Sequence, residues 1–275
     1  MILRDMLKQG ADTLRKAGVI EPGLDAWYLL SYCMGITKSR YYMMQDEIPD
    51  NNTIKRYNEL INERSTRKPL QYITGSQEFM GLAFAVNENV LIPRQDTEVL
   101  VERAMGLCRG RRILDMCTGS GCIAVSIAVL GRPESVDASD ISEAALQLAK
   151  KNSIKNGASV SFILSDIWDN ITGEYDVVIS NPPYVTAGEM GELMPEVGTY
   201  EPGNALYGGC DGLEFYKRIV SGAHGHLAKN GYIFFEIGCK QSVAVSKILA
   251  QNGFGDIRTE KDLSGLDRVV WARRK

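Results

Sequence analysis

Asn181-Pro182-Pro183-Tyr184 stands directly after the apolar run Asp176-Val177-Val178-Ile179-Ser180, which predicts a buried β-strand ending in a stiff polar turn. The Asn181 side chain offers a carbonyl acceptor and an amide donor. Each proline fixes φ and lacks an N–H, so the turn is rigid and its carbonyls are free to face a pocket. Tyr184 brings a flat face on which a planar amide or a base can lie. Together these residues suit methyl transfer to a planar, conjugated nitrogen. A strand that merely ends in a Pro-Pro turn is the plain alternative, and the residues upstream weigh against it.

Upstream, Ile113-Leu114-Asp115-Met116-Cys117-Thr118-Gly119-Ser120-Gly121-Cys122-Ile123-Ala124 reads as strand, glycine turn and helix start. Gly119 and Gly121 allow φ > 0 and close approach of a ligand to the backbone, while the helix start points N–H groups at the turn. Nineteen residues beyond Gly121, Asp140 closes a second strand, at the spacing where a nucleotide-binding βαβ unit puts an acid on ribose hydroxyls. The dinucleotide fingerprint G-x-G-x-x-G is absent, so S-adenosylmethionine fits this pattern better than NAD.

These motifs need a scaffold, and the rest of the chain supplies one. Apolar runs and helical periods alternate from residue 94 to 275, with strands at 113–116, 135–138, 160–164, 177–180, 232–237, 256–260 and 268–272. Helices are expected at 98–107, 123–130, 143–156, 213–227 and 242–252. The expectation is an α/β fold with a doubly wound, mostly parallel seven-stranded sheet, Rossmann-like, over residues 94–275. Residues 1–75 read as short helices, with Leu3, Met6, Leu7, Ala11 and Leu14 at helical spacing. That small domain either caps the larger one or grips a macromolecular substrate. Residues 76–93 switch to period two, and a β-hairpin through Asn87-Glu88-Asn89 is expected as the link.

Composition narrows the function. At 275 residues, 44% hydrophobic and 24% charged, the chain has the make-up of a globular protein with two domains. A net charge of −3 offers no general field for nucleic acid. The six cysteines form no Cys-x-x-Cys and the two histidines stand at no metal-ligand spacing to them, so no metal is expected; scattered thiols fit a reducing cytoplasm. No apolar run approaches eighteen residues, which argues against a membrane partner, and no export signal opens the chain.

Over nearly its whole length the chain resembles the protein-(glutamine-N5) methyltransferases that modify class 1 peptide chain release factors. The resemblance rests on Tyr72-Ile73-Thr74-Gly75, Leu91 to Glu98, the glycine turn, Asn181 to Tyr184, Tyr200-Glu201-Pro202, Asp211-Gly212-Leu213, and Glu236-Ile237-Gly238 with Gln241. Two positions depart from the family pattern. Cys117 replaces the usual first glycine, which predicts ordinary backbone angles there, and Gln95 stands where proline is general.

The resemblance implies a class I S-adenosylmethionine-dependent enzyme with S-adenosylhomocysteine as product. Its substrate would be the glutamine of a Gly-Gly-Gln loop in a release factor. It implies that Asp115 and the backbone of Cys117, Thr118, Gly119, Ser120 and Gly121 surround the methionine part of the cofactor. Asp140, with Ile141 beside it, would take the ribose, and Asp166 the adenine amino group, with Ile167 against the ring. Asn181 would border the cofactor too, and from the chemistry of the turn we expect Asn181 and Pro182 to accept from the substrate amide, with Pro183 and Tyr184 completing that surface. Acids closing strands are also helix N-caps, and Glu201 and Glu236 could simply order a loop and a strand end. A ribosomal-protein glutamine methyltransferase, a nucleic-acid adenine-N6 methyltransferase and an inactive cofactor-binding scaffold remain as alternatives at this level.

Overall fold

The computed structural model describes residues 1–275, which divide into two compact units. The first comprises residues 1–75 together with 194–200, and the second residues 76–193 and 201–275. The return of 194–200 to the first unit was not expected from the sequence.

In the first unit, helices α1 (Leu3–Lys16), α2 (Pro22–Met34), α3 (Lys38–Met44), α4 (Asn51–Ser65) and α5 (Leu70–Thr74) enclose Leu3, Met6, Leu14, Leu29, Leu30, Tyr57 and Leu60. Thr37 and Asp50 accept backbone N–H groups at the starts of α3 and α4, which sets where each begins. Arg64 is buried beneath this core, with Asp25 at 2.7 Å and Glu196 at 3.0 Å, and Glu196 also pairs with Arg67 at 2.6 Å.

The second unit opens with a hairpin, β1 (Ser76–Phe79) and β2 (Leu82–Ala85). Its turn is Met80-Gly81, both at positive φ, and not 87–89 as the sequence suggested. Two consecutive left-handed residues give the turn whose twist matches antiparallel strands. Val86, Val90 and Ile92 are buried, which mimics strand alternation, but their segment is an irregular loop.

Then follow α6 (Gln95–Met105), β3 (Arg112–Met116), α7 (Cys122–Leu130), β4 (Ser135–Asp140), α8 (Glu143–Lys155), β5 (Ser161–Leu164) and β6 (Tyr175–Ser180). The short helices α9 (Ala187–Met190) and α10 (Pro195–Tyr200) precede α11 (Glu214–Gly222), β7 (Leu227–Glu236), α12 (Ser242–Gln251), β8 (Phe254–Lys261) and β9 (Asp267–Arg274). Sheet order is β5-β4-β3-β6-β7-β9-β8, parallel from β5 to β7 and antiparallel at β9 and β8. The seven-stranded doubly wound sheet is as the sequence predicts.

Alternation along the strands divides the core between two faces. Leu114, Met116, Val178, Ile233 and Phe235 pack with Tyr216, Ile219 and Val220 of α11 and Val245 and Leu249 of α12. Ile113, Val177, Ile179 and Phe234 pack with α6, α7 and the hairpin's Phe79 and Phe84. Chain order reverses between neighbours β3 and β6, and the crevice at the carboxyl ends of such strands is where open α/β sheets take ligands.

Candidate active site

A cavity of about 250 Å³ opens at that crevice, lined by the ends of β3, β4, β5 and β6, the loop before α6, and α11. Cys117, Thr118, Gly119, Ser120, Asp140, Ile141, Asp166, Ile167, Asn181 and Pro183 all line it. Gly121, Asp115, Pro182 and Tyr184 do not, although Asp115 and Gly121 both hydrogen-bond Thr118, which does. The lining also includes residues to which the sequence assigned no role: Arg94, Thr97, Phe215 and Arg218. Only the Leu91–Glu98 motif hinted at the first two. The loop misread as a strand is therefore a wall of the site.

Asp115 is fully buried at the end of β3. One oxygen accepts from Thr118 Oγ1 at 2.5 Å and the Ala124 N–H at 3.1 Å, closing the glycine turn onto the start of α7, while Oδ1 has no partner. Burial pushes its pKa up to about 7 against those two hydrogen bonds. Asp140 accepts from the Gly119 N–H at 2.8 Å and the Ser142 N–H at 2.9 Å, and burial raises its pKa as well. Asn152, wholly buried, ties the turn to the hairpin by donating to the Ser120 and Ala85 carbonyls at 2.8 and 3.0 Å.

The two glycines of the turn serve different needs. A Cβ at Gly121 would stand 2.9 Å from the Ala149 Cβ, so α8 requires glycine there. A Cβ at Gly119 would meet nothing within 4 Å, which leaves open space beside the exposed backbone. Cys117 does not have the ordinary angles predicted for it: its φ is +62°. The left-handed region costs a non-glycine residue of the order of 1 kcal/mol, and flanking hydrogen bonds hold it. Thr118 N–H donates to Ser139 O at 3.0 Å, and Ser180 Oγ donates to Met116 O at 2.6 Å. Ile167, on the cavity wall, is likewise at +53°. There Ser165 Oγ donates to the Ile167 carbonyl at 3.0 Å. Asp166 pairs with Arg218 at 2.8 Å.

The Asn181–Tyr184 turn is held from behind. Gln241 Nε2 donates to the Tyr184 carbonyl at 3.0 Å and the Gly212 carbonyl at 3.2 Å, while its Oε1 accepts from the Gly238 N–H at 2.9 Å. A Cβ at Gly208 or Gly212 would press to 2.6 or 2.4 Å of the turn's backbone. These contacts account for the 211–213 and 236–241 motifs. Tyr184 OH donates to Glu236 Oε1 at 3.3 Å, and Asn181 Nδ2 donates to Thr97 Oγ1 at 3.3 Å. Glu201 is buried beside Arg94, with which it pairs, and accepts from the Ile92 N–H at 3.3 Å, fixing the loop before α6.

A family model described as the PrmC N-terminal domain matches residues 5–75, and one described as the methyltransferase small domain matches residues 95–195. A release factor glutamine methyltransferase of Fusobacterium nucleatum is 42% identical, over 98% of this chain and 78% of its own. That of Geobacter sulfurreducens is 37% identical over 98% of this chain and 96% of its own. The chain belongs to the release factor glutamine methyltransferase family. It is an S-adenosylmethionine-dependent methyltransferase. The fold is shared with a methyltransferase from Pyrococcus furiosus, at TM-score 0.56 and 17% identity over 80% of this chain and 98% of that one.

The residues present fit the cofactor. Open space at Gly119, a carboxylate at Asp140 and the apolar side chain of Ile167 line a single cavity.

Proposed function

We propose that this enzyme methylates the side-chain nitrogen of a glutamine in a peptide chain release factor, in the Gly-Gly-Gln loop of the class 1 factors, and acts in the cytoplasm. When bound, S-adenosylmethionine supplies an electrophilic sulfonium methyl. Asp140 accepts from the ribose hydroxyls, Asp166 from the adenine amino group, and the Cys117–Gly121 backbone surrounds the methionine portion. Asn181 Oδ1 and the Pro182 carbonyl accept the two N–H groups of the substrate amide. That aims the nitrogen at the methyl and stabilises positive charge as it develops, which is where positioning contributes most.

The observation that carries this reading is the pairing of Asn181 Nδ2 with Thr97. With the donor end engaged, the acceptor end is left for substrate at a cavity that also holds Asp140 and Asp166. The curated relatives named for release factors support the substrate class. Incubation with labelled cofactor and a purified release factor, followed by mass mapping, should place one methyl on the glutamine of Gly-Gly-Gln. Label on no residue, or on another, would overturn the assignment.

A further inference from the structure

Helix α11 has two faces. Tyr216, Ile219 and Val220 are fully buried against the sheet, while Phe215 and Arg218, three residues apart and so on one side, are half-buried and line the cavity. The segment that follows β5 meets this second face. Arg218 Nη2 stands 2.8 Å from Asp166 Oδ1, and its Cζ lies 5.7 Å from the centre of the Phe215 ring, which attracts the guanidinium and steadies it. Trp168 Nε1 donates to the Ile219 carbonyl at 2.9 Å, and a Cβ at Gly222 would stand 2.3 Å from the Trp168 ring, so segment and helix are locked at close range. Within the segment, Ser165 Oγ also accepts from the Asn170 N–H at 3.0 Å, and Asn170 Nδ2 donates to the Leu164 carbonyl at 2.8 Å. Asp166 therefore reaches the cavity on a braced loop, with one of its two oxygens already taken.

We propose that Arg218 is a positioning residue that sets which purine the cofactor pocket takes: it holds Asp166 by Oδ1 and leaves Oδ2 as a fixed acceptor, which selects a 6-amino purine over a 6-oxo one. The inference rests on the reading that Asp166 accepts from the adenine amino group. An ionised carboxylate accepts and does not donate. A 6-oxo purine turns lone pairs toward it at position 6 and carries its N–H at N1 instead. A carboxylate free to rotate can follow that N–H and accept it, so it discriminates poorly. One tethered to a guanidinium on a locked helix cannot follow, and the 6-oxo base is left with acceptor against acceptor. Asp166 thus supplies the hydrogen bond, and Arg218 supplies the penalty for the wrong base.

Calorimetry with no protein substrate present tests this, by comparing S-adenosylhomocysteine with its 6-oxo counterpart S-inosylhomocysteine. Wild type should bind the first about 10-fold or more tightly, the scale of one hydrogen bond to a charged group. Asp166→Ala should remove the preference. Arg218→Met, which keeps an unbranched apolar stem beside Phe215, should bring the ratio to about 3 or less. Arg218→Lys should retain the preference, because the observed contact is a single N–O pair that an ammonium can replace. Equal weakening of both ligands in Arg218→Met would reduce Arg218 to a wall of the cavity, and an unchanged ratio would leave it without a part in recognition. Either result overturns the proposal, as does a lysine variant that behaves like methionine or a wild type that binds both ligands equally. A preference that survives in Asp166→Ala would overturn the reading of Asp166 itself, and the proposal with it. Failure to methylate a release factor would overturn the proposed substrate and leave these ratios standing.

Discussion

The two turns that meet in the cavity end adjacent parallel strands, yet they are built on opposite principles. The turn after β3 is a backbone device. Two glycines and a cysteine adopt positive φ, and the acids Asp115 and Asp140 hold its N–H and hydroxyl groups from below. The turn after β6 is a side-chain device, with two prolines for stiffness and with Thr97, Glu236 and Gln241 as props. On the proposed function, the first turn would bring backbone close to a cofactor with many polar atoms, and the second would aim one amide nitrogen with a rigid acceptor.

If that contrast is correct, damage to the second turn should appear in kcat and damage to the first in cofactor affinity or folding. Asn181→Ala should lower kcat by about 10²–10³, the scale of losing one preorganised polar group, with calorimetric affinity for S-adenosylhomocysteine intact. Asn181→Asp presents an acceptor to the cavity whichever way the carboxylate turns, so it should retain more activity than alanine if Asn181 acts by accepting alone. Gly121→Ala should cost about 2–4 kcal/mol in urea unfolding, because its φ of +81° is strained for alanine and its Cβ meets Ala149. Gly119→Ala, strained but without a clash, should unfold closer to wild type and show its loss in cofactor binding instead. Asp140→Ala should weaken cofactor binding by about 1–3 kcal/mol, measured by calorimetry, since charge-assisted hydrogen bonds are lost. Equal loss of kcat and no loss of affinity in that variant would erase the distinction between the turns.

The smallest effect is on pH dependence of stability. Asp115 has a folded pKa of about 7 against an ordinary 3.8, so between those values the folded state holds a proton that the unfolded state has lost. Its contribution is fully present below the unfolded value and is lost as pH rises through about 7. Wild type should therefore lose unfolding free energy from pH 5 to pH 8, and Asp115→Asn should lose less over that range.

Much of this was legible in the chain because strand ends are local features. Asp140, Asp166 and Asn181 each close an apolar run, and the glycine turn lies between a strand and a helix start. What escaped depends on contacts distant in sequence. Thr97 and Asn181 are 84 residues apart, and Gln241 and Tyr184 are 57 apart. No periodicity links them. The loop at 86–94 imitates a strand in sequence because Val86, Val90 and Ile92 are buried at alternating positions, although the segment is irregular and Val90 lines the cavity. The angle at Cys117 is not legible in the sequence because a residue with a Cβ ordinarily avoids positive φ, whereas here hydrogen bonds of the neighbouring residues hold a left-handed one.

The return of residues 194–200 to the helical unit has a consequence for biosynthesis. Arg64 and Arg67 are made early, but the carboxylate both share, Glu196, emerges only after β3 to β6 have been translated. Until then Arg64 has Asp25 as its sole ion-pair partner. A nascent chain that has exposed residues 1–75 therefore carries an unfinished unit, and its last ionic fastening is set by the passage of a later segment of the same polypeptide.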